Sequence, residues 1–332
     1  MMRRGAAAGC GERVGATSAA SDVDRRRRPV VGHIAGFRRR VAECNEITSE
    51  AIASYVPLVV AGVPVGLMQA FFADALVTHG EGVFVRQTQT TDDGVGIVAL
   101  DPEREMTAEE RSMAVAPVMA ALRDAGVVTG WRDELFPVAA GYGDEPLMTV
   151  ERAAASLLGI RAYGVHVNGY VTLPTGEVEL WVAKRSATKQ TYPGKLDHLV
   201  AGGLPAGIPP GECVVKECGE EASIPPDLAA AARPVGIVSY AANYQGCCKR
   251  DVLFCYDLEL PVDFVPVPDD GEVESFERVP IEEVMRVISE TTAFKTNCCL
   301  VIVDFLVRHG FVGPEEPGYM ELVASLRAGE GW

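Results

Sequence analysis

The sequence predicts an α/β protein: an α/β sandwich preceded by an additional amino-terminal α+β domain. Three observations support this. From Arg161 onward, β-branched and aromatic runs alternate with amphipathic helical stretches. Before that point, short strand-like runs surround one well-capped helix. Finally, 332 residues at 48% hydrophobic and 23% charged suffice for one large or two modest globular domains. The expected division is an arm over 1–30, an α+β domain of uncharacterised type over 31–155 and the sandwich domain over 156–325.

In the first domain, strand-like runs cover 58–65, 82–87 and 96–100. A helix is expected over 107–125, with Thr107 as its cap and Glu109 and Glu110 facing the positive end of the helix dipole. Met113, Val115, Val118, Met119 and Leu122 form its apolar stripe, and Gly126 supplies the stop. A second helix is expected over 149–158, capped by Thr149 and closed by Gly159, bridging the two domains. In the second domain, strands over 162–172 and 177–184 flank the turn signal Pro174-Thr175-Gly176, with Asn168-Gly169 a competing turn or bulge. Further strands are expected over 234–241 and 252–260, and helices over 280–289 and 297–309.

The formal net charge of −16 argues against nucleic acid or an anionic membrane as the main partner. No apolar run reaches the ~18–20 residues of a membrane span, so a soluble protein is expected. The arm over 1–30 carries seven Arg against three acids and too few apolar side chains to order itself. It reads as a disordered tail of a cytoplasmic protein or as a plastid or mitochondrial transit peptide. The nine cysteines include no CxxC pair, so Cys213 and Cys218 read as small packing residues in a reducing compartment.

The chemistry concentrates in 202–224. A glycine turn leads into a helix whose Glu217, Glu220 and Glu221 fall at i, i+3 and i+4, which stacks three carboxylates on one face. Side by side these anions repel, and a divalent cation is the physical reason to gather them. Hard oxygen ligands suit Mg²⁺ or Mn²⁺, ions that serve diphosphate chemistry.

The run Tyr192-Pro-Gly-Lys195 to Gly202-Gly203, followed by Lys216-Glu-Cys-Gly-Glu-Glu221, resembles the loop and box of a Nudix hydrolase. The box consensus is Gly-x5-Glu-x7-Arg-Glu-U-x-Glu-Glu-x-Gly-U, with U aliphatic. Three positions depart from it: Ile208 stands for the early Glu, Lys216 for Arg and Ser223 for the late Gly. Lys216 keeps the charge but loses the guanidinium fork, and Ser223 requires that its position avoid a strained φ. Further runs at 36–45, 130–138, 163–170, 271–276, 294–297 and 304–310 are similar to one branch of that family. This is the branch of the amino-terminal part of fungal thiamine pyrophosphokinase and of stand-alone plant and yeast Nudix proteins. Its members carry an added amino-terminal domain, and no carboxy-terminal kinase domain is expected here.

The resemblance implies Mg²⁺-dependent hydrolysis of thiamine diphosphate, or its oxidised oxo- and oxy- forms, to the monophosphate. Alternatives are a pyrophosphatase for another nucleoside-diphosphate-type substrate and a catalytically silent binding module for a thiamine-type ligand. Metal ligation is expected from Glu217, Glu220 and Glu221, with Glu220, Glu221 or a downstream acid, Glu274 or Glu272, taking the proton of water. Arg185 and Lys195, with Gly202 and Gly203, are expected to anchor the diphosphate, and Lys184 and Lys189 lie nearby. Trp131 and Arg132 are expected to hold the organic ring, and His166 reads as a buried structural histidine. The five histidines offer no metal pair, which disfavours an isopentenyl-diphosphate-isomerase type of site. The expected partner is a small-molecule diphosphate; the oligomeric state is left open.

Overall fold

The computed structural model describes residues 32–47, 49–87 and 96–331, and the Arg-rich arm lies outside them. The chain begins with α1 (Ile34–Ala42) and the short α2 (Ser49–Ile52). The expected run over 58–65 is two strands, β1 (Val56–Val60) and β2 (Val63–Met68). They are joined at Ala61 and Gly62, both with positive φ (50° and 79°), a turn whose twist matches paired antiparallel strands. After α3 (Ala70–His79), β3 (Phe84–Gln87) and β4 (Ile97–Leu100) complete a sheet of order β2-β1-β4-β3. One face is covered by α3 and by α4 (Ala108–Asp124), where Phe72, Leu76, Val115, Met119 and Leu122 meet Leu58, Val60 and Val98. Thr107 and Glu110 form a reciprocal capping box at the start of α4.

The expected helix over 149–158 starts late. Its first three residues belong to β6 (Met148–Glu151), paired with β5 (Leu135–Val138); a 3-10 turn (Arg152–Ala154) then leads into α5 (Ala155–Leu158). The Thr149 amide donates to Ser112 Oγ of α4 at 2.9 Å, so tertiary pairing has overridden the local capping signal. Gly159 closes α5 at φ 62°, and a Cβ there would strike the backbone of Leu67 on β2. Glycine alone lets this linker pack so closely.

The C-terminal unit is the expected sandwich. Its sheet, of order β11-β12-β7-β8-β13, uses β7 (Arg161–Thr172), β8 (Val178–Arg185), β11 (Arg233–Tyr244), β12 (Cys247–Glu259) and β13 (Val273–Pro280). The two short strands β9 (Leu196–Asp197) and β10 (Val200–Gly203) pair with β8 and β7. The strand β7 runs through Asn168-Gly169, and the hairpin turns at Pro174–Gly176. On one face lie α6 (Pro210–Ala222) and α7 (Pro226–Ala229); Cys213, Val214, Cys218 and Ala222 of α6 pack on Val165 and Val167. On the other face lie α8 (Ile281–Glu290), α9 (Thr296–Arg308) and α10 (Tyr319–Ser325). The helix α1 joins this second layer, burying Ile34, Phe37 and Val41 against it, although the sequence groups it with the first domain. Each fully buried Phe or Leu there contributes roughly 2 kcal/mol.

Candidate active site

The amphipathic pattern of α6 fixes which glutamate goes where. Cys213, Val214 and Cys218 anchor the helix in the core, which turns Glu221 inward and leaves Glu220 exposed. Burial raises both thiols to about 12, as expected of packing residues. Glu221 is 8% exposed, and its Oε2 accepts the Ala201 amide of β10 at 3.0 Å. Burial, opposed by that hydrogen bond, raises its carboxyl to about 8. Glu217, one turn back, lies against Gly202, where a Cβ would fall 2.3 Å from Glu217 Cδ. The first box glycine therefore makes room for a carboxylate.

Lys216 draws the other two glutamates outward, donating to Glu220 at 2.7 Å and to Glu217 at 3.3 Å. The residues that join Glu221 come instead from the loop before β13. Carboxylate oxygens of Glu221, Asp270 and Glu272 all lie within 4.8 Å of one another. Three clustered acids with one of them buried are poorly stable unless a cation sits among them, and this donor set fits a hard divalent ion. Lys189 reaches Glu272, and burial, reinforced by Arg185, lowers its ammonium to about 8. The cluster thus has a protein cation at its edge but a strongly anionic centre.

The late departure Ser223 carries a surprise. It occupies the left-handed region (φ 51°, ψ 33°), where glycine is preferred, and the Ile224 amide closes the cap on Cys218 O, six positions back, at 3.0 Å. The expectation that this position avoids a strained φ is therefore corrected. Ile208, in place of the early acid, is half-buried against the α6 core.

Several expected site residues lie elsewhere. Glu274 sits at a bulge in the β8–β13 ladder and turns out to Lys184 at 2.7 Å, away from the acid cluster. Arg185 is buried, donating to Asp197 at 2.9 Å and to the Thr191 and Tyr192 carbonyls, so its fork is already filled. Lys195 donates to the Thr292 carbonyl. Trp131 donates to Asp133 at 2.7 Å and lines a shallow groove with Met113 and Leu135, apart from Gly202 and Gly203; the Arg132 side chain is exposed. Of the expected set, the structure gathers Glu217, Glu221, Gly202 and Gly203.

Beneath the site lies a buried polar network that the sequence did not announce. Burial alone would raise Asp197, but Lys295 and Arg185, with a hydrogen bond from Cys298, outweigh it and hold that carboxyl well below its ordinary range. His166 and His198 share a 2.7 Å hydrogen bond. Burial lowers His198 to about 4 against the pull of Asp197, and lowers His166 as well, so both rings are neutral.

Beside the glycines opens a cavity of about 500 Å³. Its walls include Tyr192 and Tyr244, whose ring centroids are 6.2 Å apart, and Asp251, which accepts from Tyr240 at 2.5 Å. Phe136 and Arg152 enter it from the N-terminal unit. Among the described residues, no helix is long and apolar enough to cross a membrane.

Residues 162–296 match the family model described as NUDIX domain, and residues 36–162 match one described as Domain of unknown function (DUF4743). Nudix hydrolase 20, chloroplastic, of Arabidopsis thaliana is 47% identical over 295 residues, covering 89% of this chain and 78% of its own. Nudix hydrolase 24, chloroplastic, of the same plant is 45% identical over 297 residues, covering 90% and 79%. The crystal structure of DR0079 from Deinococcus radiodurans aligns at 21% identity with a TM-score of 0.37, over 51% of this chain and 96% of that one.

Proposed function

We propose that this chain, which belongs to the Nudix hydrolases and so acts on pyrophosphate bonds, takes thiamine diphosphate or one of its oxidised forms and releases the monophosphate. The observation that carries the hydrolytic reading is the convergence of Glu221, Asp270 and Glu272 oxygens within 4.8 Å, next to the glycines and the cavity. The thiamine-type reading is supported by the resemblance in the motifs outside the box. The cavity also suits it: Phe136, Tyr192 and Tyr244 line it and offer aromatic faces against which a flat ring can pack.

Glu221, Asp270 and Glu272 would hold the cation, Mg²⁺ or Mn²⁺, with Glu217 and Glu220 as further ligands from the same helix face. Bound there, the ion supplies charge neutralisation of the diphosphate and acidifies a water. The chain's own groups do the rest. The Ala201 amide fixes the rotamer of Glu221, so one carboxylate is held in place before substrate arrives. Glu272, half-exposed at the edge of the cluster, takes the proton of the attacking water. Lys189 beside it offsets the charge of that carboxylate and of the phosphoryl oxygens as the bond breaks.

The plastid names of both Arabidopsis relatives favour a transit-peptide role for residues 1–30 over a cytoplasmic location. A screen of thiamine diphosphate, its oxo- and oxy- forms and ADP-ribose with Mg²⁺ tests the substrate reading. Preference for a nucleoside diphosphate derivative would sink it.

A further inference from the structure

Phe136 and Arg152 carry the N-terminal unit into the wall of the cavity. Arg152 opens the turn after β6, donates through Nη1 to Glu134 at 2.6 Å and lies over the Phe136 ring at 5.4 Å. A Cβ on Gly203 would come within 2.8 Å of Phe136 Cζ and 2.9 Å of Arg152 Cζ. The β5–β6 hairpin is therefore pressed against the β10 glycines, and Gly202 next to them packs on Glu217. Glu217 is one of the proposed cation ligands, so the guanidinium borders the place where a diphosphate would lie.

The other cations around the carboxylates are spoken for. Arg185 and Lys295 pair with buried Asp197, Lys216 with Glu217 and Glu220, and Lys189 with Glu272. Arg152 commits one nitrogen to Glu134, its side chain is 41% exposed, and it lines the cavity. A guanidinium with further donors facing open space can grip phosphate oxygens in two parallel bonds.

We propose that Arg152 is the diphosphate-anchoring residue and that Phe136 forms one wall of the pocket for the organic half of the substrate. The amino-terminal unit is then part of the substrate site. The ligand is a diphosphate ester of a flat ring, held between Phe136 on one side and Tyr192 and Tyr244 on the other. This rests on the hydrolase reading above, and its test separates the two.

The probe is methylenediphosphonate, a diphosphate mimic that carries no ring and resists hydrolysis, titrated with Mg²⁺ into the full chain by calorimetry. Arg152→Ala is expected to weaken its binding ~10–50-fold and to raise KM for the hydrolysed substrate more than it lowers kcat. Arg152→Lys keeps the stem and charge but loses the fork, and is expected to fall between the two. If Arg152→Ala fails to fold, Arg152→Lys carries the test through a loss of ~3–10-fold in probe affinity. Wild-type affinity in whichever variant folds would overturn the proposal. Because the probe has no ring, a wild-type protein that ignores thiamine diphosphate refutes the substrate reading, while weakened probe binding in the variants still supports Arg152.

Discussion

The Ala201 amide on β10 and the Glu221 carboxylate on α6 are joined by a 3.0 Å hydrogen bond, tying the strand after the loop to the last acid of the helix. That bond, with burial, makes Glu221 the fixed point of the acid cluster. Asp270 and Glu272 close on it from the loop ahead of β13.

The first consequence concerns metal affinity. Removing Glu272 takes away one of three converging carboxylates, whereas Glu274 is engaged with Lys184 at the surface. Calorimetric titration with Mn²⁺ should show Glu272→Gln weakened ~10-fold or more, with Glu274→Gln within ~2-fold of wild type. The reverse ranking would mean that the bulge in β13 does not persist in solution.

Ser223 supplies a stability test. Its left-handed backbone costs a side-chain-bearing residue about 1 kcal/mol that glycine avoids, less the entropy glycine loses on folding. Ser223→Gly should be neutral to stabilising by up to ~1 kcal/mol, and Ser223→Val should destabilise by ~1–2 kcal/mol in denaturant unfolding. Equal midpoints for the two variants would rule out the strained cap.

Arg185 is assigned to structure. Arg185→Met leaves Asp197 buried with Lys295 as its remaining ion-pair partner, which should cost ~3 kcal/mol of stability. Methylenediphosphonate affinity of the folded fraction should stay near wild type. A large loss of affinity with unchanged stability would return Arg185 to its expected anchoring role.

His198 sets a pH dependence. Its folded imidazole is pushed down to about 4, from an ordinary 6.5. Between those values the unfolded chain binds a proton that the folded chain does not, so stability falls as pH drops from 6.5 toward 4 and flattens below. The span amounts to about 3 kcal/mol. Urea unfolding at intervals across it should show a steeper pH slope for wild type than for His198→Gln; parallel curves would exclude the neutral buried ring.

How much of this was legible depended on range along the chain. The face shared by Glu217, Glu220 and Glu221 follows from helical spacing alone, and Thr107 with Glu110 follows from a local capping box. Glu272 and Glu274 were both visible as acids of one loop, but which of them joins Glu221 depends on a bulge at Glu274, and bulges leave no clear local mark. Arg185 was expected to grip phosphate oxygens, but its donors are taken within the fold. Its ligand proved to be Asp197 on the neighbouring strand, a partner that only sheet pairing reveals. Residues 149–158 read as helix because their capping and composition favour it, yet over 149–151 cross-strand pairing with Leu135, Phe136 and Pro137 prevailed and the helical turns begin only at Arg152. Arg152 gave no signal, since its importance lies in the close approach of a second unit to Gly203.

The most direct test of the central claim is phosphate-linked turnover of thiamine diphosphate and its oxo- and oxy- forms with Mg²⁺, for wild type beside Glu221→Gln, Glu272→Gln and Glu274→Gln. The expected result is a fall in kcat of ~10²-fold or more for the first two variants, with melting temperatures preserved, and near-wild-type turnover for the third. Undiminished turnover in Glu221→Gln and Glu272→Gln would contradict the assignment of the acid cluster as the catalytic centre.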